Sequence, residues 1–309
     1  MTSQETYPEF FVIGAPKTGT TSMYDYLAQN KHVYVPAKKE LHYFTREHLR
    51  ENSGGPGDDH RLRTIVESES EYLRHYEDRT LEQSLAVEIS PSYLYYDDTA
   101  EVLLDASPNA RVLAILRDPV ERAYSQFLHQ RRAQRETLEF EAALDAEPER
   151  IERRFAEMWR YTDANQYTRS LETYARVFGR NRLMVIHSEH LRSDLQTTMA
   201  NVFDFAGVPP IEIAEQSERN AGGEARSKTV ARLLGQPNPL KVALKRILPQ
   251  NARRRIWLKT VELNTAPKSP MPVAARARLQ EVFAPEAARL ETFLGSPVPW
   301  RWHEARSSS

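Results

Sequence analysis

The sequence predicts an α/β fold, a single domain in which a central parallel β-sheet is flanked by helices. Short apolar runs that end in Gly, Pro or polar residues are typical of strands buried on both faces of a parallel sheet. Segments with apolar residues at helical spacing follow these runs, and this alternation is the mark of an α/β protein. The chain has 309 residues, which is long enough for one large domain, and we expect that domain to span residues 1–309.

The first strand is predicted in EFFVIGA, residues 9–15, and the first helix in TTSMYDYLAQN, where Met23, Tyr26 and Leu27 share one face. The segments HVYVP and LHYF are predicted as short extended pieces. Near the C-terminus, VAARARLQEVFAPEAARLETFLG predicts one helix, or a pair broken near Pro285. The remaining strands are predicted in SLAVEIS (84–90), ARVLAILRDP (110–119) and NRLMVIHSEHL (181–191), and the remaining helices in VERAYSQFLHQRR (120–132) and TTMANVFDFAG (197–207).

Composition and charge exclude several classes of function. The chain has no cysteine, which excludes disulfides, zinc–thiolate sites and cysteine nucleophiles. The formal net charge of -1 gives no general attraction to a polyanion, so no nucleic-acid partner is expected. The N-terminus, MTSQETYPEF, lacks the basic and apolar regions of a secretory signal, and no apolar run approaches the ~20 residues of a membrane span. We therefore expect a cytoplasmic protein, either free or in peripheral contact with a membrane.

A glycine-rich loop follows the first predicted strand and precedes the first helix. The backbone N–H groups at a helix start, together with the helix dipole, favour an anion, and the likeliest anion is a phosphate. In the nucleotide-hydrolase version of such a loop, the lysine follows the second glycine. Here Thr20 follows Gly19, and the lysine is Lys17, inside the loop. The candidate phosphate-binding residues are Pro16, Lys17, Thr18, Gly19, Thr20, Thr21 and Ser22.

A second candidate anion site lies in LRDPVERAYSQFLH. Arg117 comes at the end of the third strand, the position where open α/β sheets bind ligands. Ser125 follows eight residues later, on the next predicted helix. These two residues could bind a second phosphate, although Arg117 and Asp118 could equally form a structural ion pair.

Together these stretches resemble the sulfotransferases that use 3′-phosphoadenosine 5′-phosphosulfate (PAPS), and the heparan-sulfate-type and bacterial carbohydrate enzymes most of all. The resemblance is carried by GAPKTGTTS, KKELHYF, VEISPSYLYY, LRDPVERAYSQFLH and RLMVIHSEHLRSD, in that order. It implies PAPS as donor, no metal, and an acceptor hydroxyl on a carbohydrate, a glycan-bearing compound or another small molecule. It further implies that Lys17 stabilises the departing phosphate and that the loop binds the 5′-phosphosulfate. Arg117 and Ser125 would bind the 3′-phosphate, and Glu40 would be the general base.

The residues around the predicted base leave alternatives open. Glu40 is the first candidate, and His42 could be the base instead or could orient the acceptor. In an extended segment, both side chains would point to one face. Lys39 is a candidate contact for the donor or the acceptor. Glu88, Ser90 and Tyr93, at or after the second main strand, are candidate acceptor contacts, although Tyr93 could equally be packing. Where the heparan-type enzymes have lysine after this glutamate, the chain has Ile89, which weakens the case for a heparan-like acceptor.

The segment from Arg226 to Thr260 contains ten cations and no acidic residue. Arg226 and Lys228 are candidate 3′-phosphate contacts. The wider segment, residues 226–272, could be a lid over the donor, a seat for an anionic acceptor, a surface for acidic lipid, or a solvated helix and loop.

Two other functions compete with sulfuryl transfer. A P-loop kinase or nucleotide hydrolase would need lysine at position 20 and a magnesium-binding carboxylate. A non-catalytic nucleotide-binding protein would have lost Lys17, Glu40 or Arg117.

Overall fold

The computed structural model describes residues 7–214, 260, 269–300 and 302. It confirms the predicted fold class, because five strands form a parallel sheet in the order β2-β3-β1-β4-β5. The long strands are buried along nearly their whole length, as their continuous apolar runs predict. The strands are β1 (Phe10–Gly14), β2 (Val33–Tyr34), β3 (Leu85–Ile89), β4 (Arg111–Leu116) and β5 (Leu183–His187).

The central strand β1 determines where a ligand can bind. It pairs with β3 on one side and with β4 on the other, so the connections that leave β1 and β3 diverge at the carboxyl ends of these strands. In open α/β sheets, this divergence creates a crevice that holds ligands. The loops after β1, β3 and β4 all begin at this edge.

Helices cover both faces of the sheet, and the predicted helices are confirmed with small shifts at their ends. No helix in the described part of the chain is both long enough and apolar enough to cross a membrane. The helices are α1 (Thr20–Leu27), α2 (Arg46–Glu51), α3 (Asp59–Leu62), α4 (Glu69–Arg74), α5 (Thr99–Ala106), α6 (Pro119–Arg132), α7 (Phe140–Asp145), α8 (Glu147–Glu152), α9 (Thr168–Phe178), α10 (Ser188–Ser193), α11 (Leu195–Ala206) and α12 (Val273–Leu294).

The last helix, α12, is continuous, so the helix pair that Pro285 made conceivable does not form. Leu279, Phe283, Ala287 and Leu290 are fully buried and recur at the spacing of one helical face. Packing of this face on both sides of Pro285 offsets the hydrogen bond that the proline cannot donate.

Candidate functional site

A cavity of about 1080 Å³, lined by described residues, opens at the carboxyl edge of the sheet. Its wall contains the whole predicted phosphate loop, the predicted base and both residues of the second candidate anion site. Residues far apart in sequence therefore meet at one place. The sequence-predicted residues in this wall are Pro16, Lys17, Thr18, Gly19, Thr20, Thr21, Ser22, Lys39, Glu40, His42, Arg117 and Ser125.

The phosphate loop connects the end of β1 to the start of α1, as predicted. Lys17 and Gly19 have φ angles of 68° and 106°, in the left-handed region, where a side chain is strained. A Cβ added at Gly19 would meet nothing within 4 Å, so the backbone angle rather than lack of space favours glycine there. At Gly14 the space itself is lacking, because a Cβ added there would lie 2.6 Å from the Cβ of Leu94.

Two arginines bind the loop from the α6 side. The guanidinium of Arg117 donates to the carbonyl oxygen of Lys17 at 3.2 Å. The Nε of Arg122, which is 1% exposed, donates to the carbonyl oxygen of Pro16 at 2.7 Å. Sequence reasoning missed Arg122, because a charged residue in a helix of mixed polarity gives no sign that it is buried. It acts here as a support for the loop.

Lys17 carries the loop's positive charge into the cavity. Burial lowers the pKa of Lys17 to about 8, and the positive charges of Arg132 and Arg117 add to this effect. An anion placed beside Lys17 would stabilise its protonated form, since opposite charges favour ionisation. The loop is therefore suited to a phosphate group.

Glu40 and His42 lie together, but the segment is not extended as predicted. Their φ angles are 61° and 54°, so the chain turns twice, and these strained angles are of the kind that concentrates at functional sites. Nε2 of His42 lies 3.6 Å from Oε2 of Glu40, and Nδ1 of His42 lies 2.9 Å from the hydroxyl of Ser92. The turn brings together the two side chains that an extended segment would have aligned.

Glu40 is held in its ionised form. Burial alone would raise its pKa, but the hydrogen bond with His42 and the charge of Lys39 outweigh burial and hold the pKa of Glu40 well below its usual range. Burial, assisted by the charge of Arg61, lowers the pKa of His42. A neutral His42 that orients an ionised Glu40 is the arrangement that these shifts favour, and it makes Glu40 the stronger candidate for the base.

Lys39 links the base to the phosphate loop. Its ammonium group lies 3.1 Å from Oε1 of Glu40 and donates to the hydroxyl of Thr21 at 2.9 Å. The two candidate halves of the site, base and anion loop, are therefore joined by one cation.

Glu88, Ser90 and Tyr93 are placed beneath the site rather than in the cavity wall. All three are fully buried, and Glu88 accepts hydrogen bonds from Ser90 at 2.7 Å and from Tyr93, as well as from Tyr72 at 2.5 Å. The hydroxyl of Ser90 also accepts the backbone N–H of His42 at 3.2 Å. Because these buried groups satisfy one another's hydrogen bonds, they support the Glu40–His42 turn and offer no group for direct contact with an acceptor.

Arg117 is not paired with Asp118. Asp118 instead caps α6 through the N–H of Val120 at 2.9 Å and accepts the indole N–H of Trp302 at 3.0 Å. The nearest acid to Arg117 is Glu121 at 3.9 Å, and Nε of Arg117 is buried with no hydrogen-bond partner. Arg117 thus keeps a donor for a ligand, next to Ser125 in the same wall.

Several wall residues were not singled out from the sequence. Burial, then the charges of Lys17, Arg132 and Arg135, lower the pKa of His129 to about 3, which shows how densely positive the site is. No motif marks these positions, because they follow from how α6, α10 and the 57–61 turn pack together. The additional polar wall residues are Asp58, His60, Arg61, Thr64, His129, Gln130, Arg132, Arg135, Ser188 and Arg192. The predicted contacts Arg226 and Lys228, and the 226–272 segment apart from residues 260 and 269–272, lie outside the described residues.

Comparison with known proteins identifies the class. A family model described as "Sulfotransferase family" matches residues 8–212, more than half of the chain. The chain therefore belongs to the sulfotransferase family, as the sequence motifs predicted.

Individual relatives agree with this assignment. The crystal structure of a sulfotransferase from Alicyclobacillus acidocaldarius is 29% identical, with a TM-score of 0.76, and the match covers 96% of this chain and 99% of that one. Membrane-associated sulfotransferase kil1 of Dictyostelium discoideum is 34% identical over 122 residues, 39% of this chain and 22% of the relative. Human bifunctional heparan sulfate N-deacetylase/N-sulfotransferase 3 is 26% identical over 211 residues, 66% of this chain and 22% of the relative. The chain spans about a fifth of the length of these two curated relatives.

Proposed function

We propose that the protein transfers the sulfuryl group of PAPS to a hydroxyl of a carbohydrate, a glycan-bearing compound or another small molecule. One observation carries the proposal. The anion loop with Lys17, the second anion site at Arg117 and Ser125, and the ionised Glu40 all face one cavity. Membership of the sulfotransferase family supports the same reaction class.

The residues present fit a donor with two phosphate groups. The Lys17 ammonium has no hydrogen-bond or ion-pair partner among the described residues, and Nε of Arg117 is an unpartnered buried donor. Lys17 and the loop N–H groups would hold the 5′-phosphosulfate, and Arg117 with Ser125 would hold the 3′-phosphate. PAPS, when bound, supplies the sulfuryl group and a leaving phosphate.

The chain's own residues then have distinct tasks. Glu40 accepts the proton of the acceptor hydroxyl, and His42 orients the carboxylate. Lys17 and the loop N–H groups neutralise the negative charge that grows on the leaving oxygen, which is the usual largest contribution to such catalysis. Lys39 lies between the base and the loop, where a cation can act on both.

Calorimetry and a turnover assay test the proposal. We expect 3′,5′-adenosine bisphosphate to bind far more tightly than ATP with magnesium, and Arg117→Gln and Lys17→Met to weaken that binding at least tenfold. Glu40→Gln should keep bisphosphate affinity but lose sulfuryl transfer from labelled PAPS to a panel of hydroxyl compounds. Glu101→Gln, an exposed carboxylate far from the cavity, is the matched control.

The outcomes separate the proposal from its rivals. Magnesium-dependent ATP turnover would establish a kinase or hydrolase. Tight bisphosphate binding with no transfer to any member of the panel would favour a non-catalytic binder. Absence of bisphosphate binding would refute the donor assignment itself.

A further inference from the structure

The last residue of α6, Arg132, and Arg135, three residues beyond the helix, face the cavity without partners among the described residues. Arg132 and Arg135 both line the wall, and neither side chain has a hydrogen bond or ion pair with any residue that the structure describes. Their neighbour Arg131 differs, because it faces away from the cavity and pairs with Glu139 at 3.3 Å. Guanidinium groups that are partly withdrawn from water and lack a counter-charge favour a bound anion.

Gln130 supplies an independent observation at the same place. It lines the cavity and is 1% exposed, yet neither Oε1 nor Nε2 of its amide has a hydrogen-bond partner. A buried amide with both polar atoms unsatisfied is uncommon in native structures, because nothing offsets the loss of its hydrogen bonds to water. A ligand that accepts from Nε2 would remove part of this cost.

These three residues lie on the acceptor side of the proposed donor site. Ser125, a proposed 3′-phosphate contact, and Arg132 are seven residues apart on α6, which is about 10 Å along the helix axis. His129 lies between them, close enough to Lys17, Arg132 and Arg135 for their charges to lower its pKa. Arg132 therefore lies about two helical turns beyond Ser125, and its charge also lowers the pKa of Lys17.

The segment around Gly57, which packs against Arg135, does not neutralise these arginines. Arg61 faces the same space but is already paired with the buried Glu157 at 2.5 Å. The carboxylate of Asp58 accepts from the N–H groups of Gly55 and Ala156 and from the indole of Trp159. Arg61 is thus neutralised within the protein and Asp58 is held by three protein donors, and neither forms an ion pair with Arg132 or Arg135. The positive charge of the two arginines remains available to a ligand.

We propose that this end of the cavity is an anion subsite that binds an acidic group of the acceptor, a carboxylate or a sulfate ester, through Arg132 and Arg135 with the Gln130 amide as a further donor. The subsite rests on the proposed function for its role in the reaction, and it narrows the acceptor class to hydroxyl compounds that already carry a negative group. Glu40 would then meet a hydroxyl of a molecule that is anchored by its acid.

The test separates the subsite from the donor site. Protein saturated with 3′,5′-adenosine bisphosphate is titrated calorimetrically with inorganic sulfate, glucuronic acid, glucose 6-sulfate and glucose. We expect the three anions to bind with saturable affinity at least tenfold above that of glucose. The Arg132→Gln/Arg135→Gln variant should lose this difference, and Gln130→Leu should weaken anion binding several-fold. Bisphosphate affinity should fall much less than anion affinity in both variants.

A control variant and the possible outcomes of the titrations decide whether the anion subsite exists. The control variant Arg63→Gln/Arg153→Gln removes two exposed charges that are already paired and should bind the anions like the wild type. The subsite is refuted if the bisphosphate-loaded wild type binds no anion, or if the two-arginine variant binds anions as well as the wild type does. Failure of the bisphosphate to bind the wild type would instead refute the proposed function. Titration with inorganic sulfate alone, compared between the wild type and the two-arginine variant, would then decide the subsite.

Discussion

Replacing Arg122 should destabilise the protein and loosen the phosphate loop at the same time. Its guanidinium donates to the carbonyl oxygens of Pro16 and Ala164 at 2.7 and 2.5 Å, and to the side-chain oxygen of Asn165 at 2.8 Å. It also packs over the ring of Tyr167, 5.6 Å from the ring centre. One side chain therefore ties the loop after β1 to the turn before α9.

The size of the effect follows from these contacts. In Arg122→Met, the carbonyl groups of Pro16 and Ala164 lose their buried donor, at about 1–3 kcal/mol each. The side-chain oxygen of Asn165 loses its main donor as well, because the one hydroxyl proton of Tyr167 has a nearer acceptor in the carbonyl oxygen of Arg117. Burial lowers the pKa of Arg122 because it disfavours the charged form, so removing this charge offsets part of the loss. We expect a net decrease of about 2–5 kcal/mol in the free energy of unfolding, which is a large part of a typical domain's ~5–15 kcal/mol.

Arg122→Lys makes the functional consequence measurable in a folded protein. Lysine keeps the charge but can reach only one of the two anchored segments, so we expect about half of the destabilisation. If the lysine at position 122 does not bind the carbonyl oxygen of Pro16 in the phosphate loop, bisphosphate affinity should fall about tenfold, equivalent to about 1.4 kcal/mol. Urea denaturation and calorimetry measure the two effects.

Arg176→Lys, in an exposed pair with Glu101, is the control for Arg122→Lys and should change the free energy of unfolding by less than ~0.5 kcal/mol. The reasoning is refuted if Arg122→Lys leaves both the urea midpoint and the bisphosphate affinity at wild-type values.

Three further changes probe other parts of the site. Because the pKa of Lys17 is lowered to about 8, bisphosphate affinity should weaken as pH rises through 8, and binding near pH 8 should take up a proton. Calorimetry in two buffers measures this proton uptake, and Lys17→Met should abolish it. Burial raises the pKa of Asp118 to about 6 from 3.8, so its ionisation costs stability progressively as pH rises from about 4 to 6, and the full cost is reached above pH 6. Asp118→Asn should therefore be about 1 kcal/mol more stable than the wild type at pH 8, and in urea titrations this difference should shrink as pH falls and vanish only below about pH 4. Glu88→Gln leaves one acceptor oxygen for three hydroxyl donors and should lower the free energy of unfolding by about 1–3 kcal/mol. Because Ser90 supports the backbone of His42, the same change should reduce sulfuryl transfer more than bisphosphate binding. Unchanged turnover would contradict this role.

The sequence could predict the candidate phosphate-binding residues of the cavity wall because they lie where strands end. Lys17 lies three residues beyond the end of β1 and Arg117 follows β4 directly, so identifying the buried strands also predicts that these side chains lie at one edge of the sheet. Ser125 was placed by the helical repeat of α6, counted from a start that Pro119 marks. Each inference needed only local periodicity and the rule for parallel strands.

The predictions for Glu88, Ser90 and Tyr93 show where this reasoning stops. Their position at the end of β3 is correct, but position on a strand end does not tell which side chains face the crevice and which close on one another. One of the three hydroxyl bonds to Glu88 comes from Tyr72, on a helix that the sequence did not reveal. A carboxylate that is already satisfied by protein donors is a support, and only three-dimensional packing distinguishes it from a ligand contact.

The acceptor half of the cavity is assembled in a way that leaves no local signal. Its wall combines the Gly57 turn, the end of α6 and the short segment at Met158, which are separated by tens of residues. A Cβ added at Gly57 would lie 2.8 Å from Nε of Arg135, so the orientation of that arginine depends on a turn far away in the chain. A phosphate group is always the same ligand, so a fixed sequence motif can bind it. An acceptor is bound by loops, and the role of each loop side chain depends on which other side chains pack beside it. For this reason the unpartnered groups of Gln130 and the two arginines beside it, invisible in the sequence, are the physical basis of the acidic acceptor that we propose.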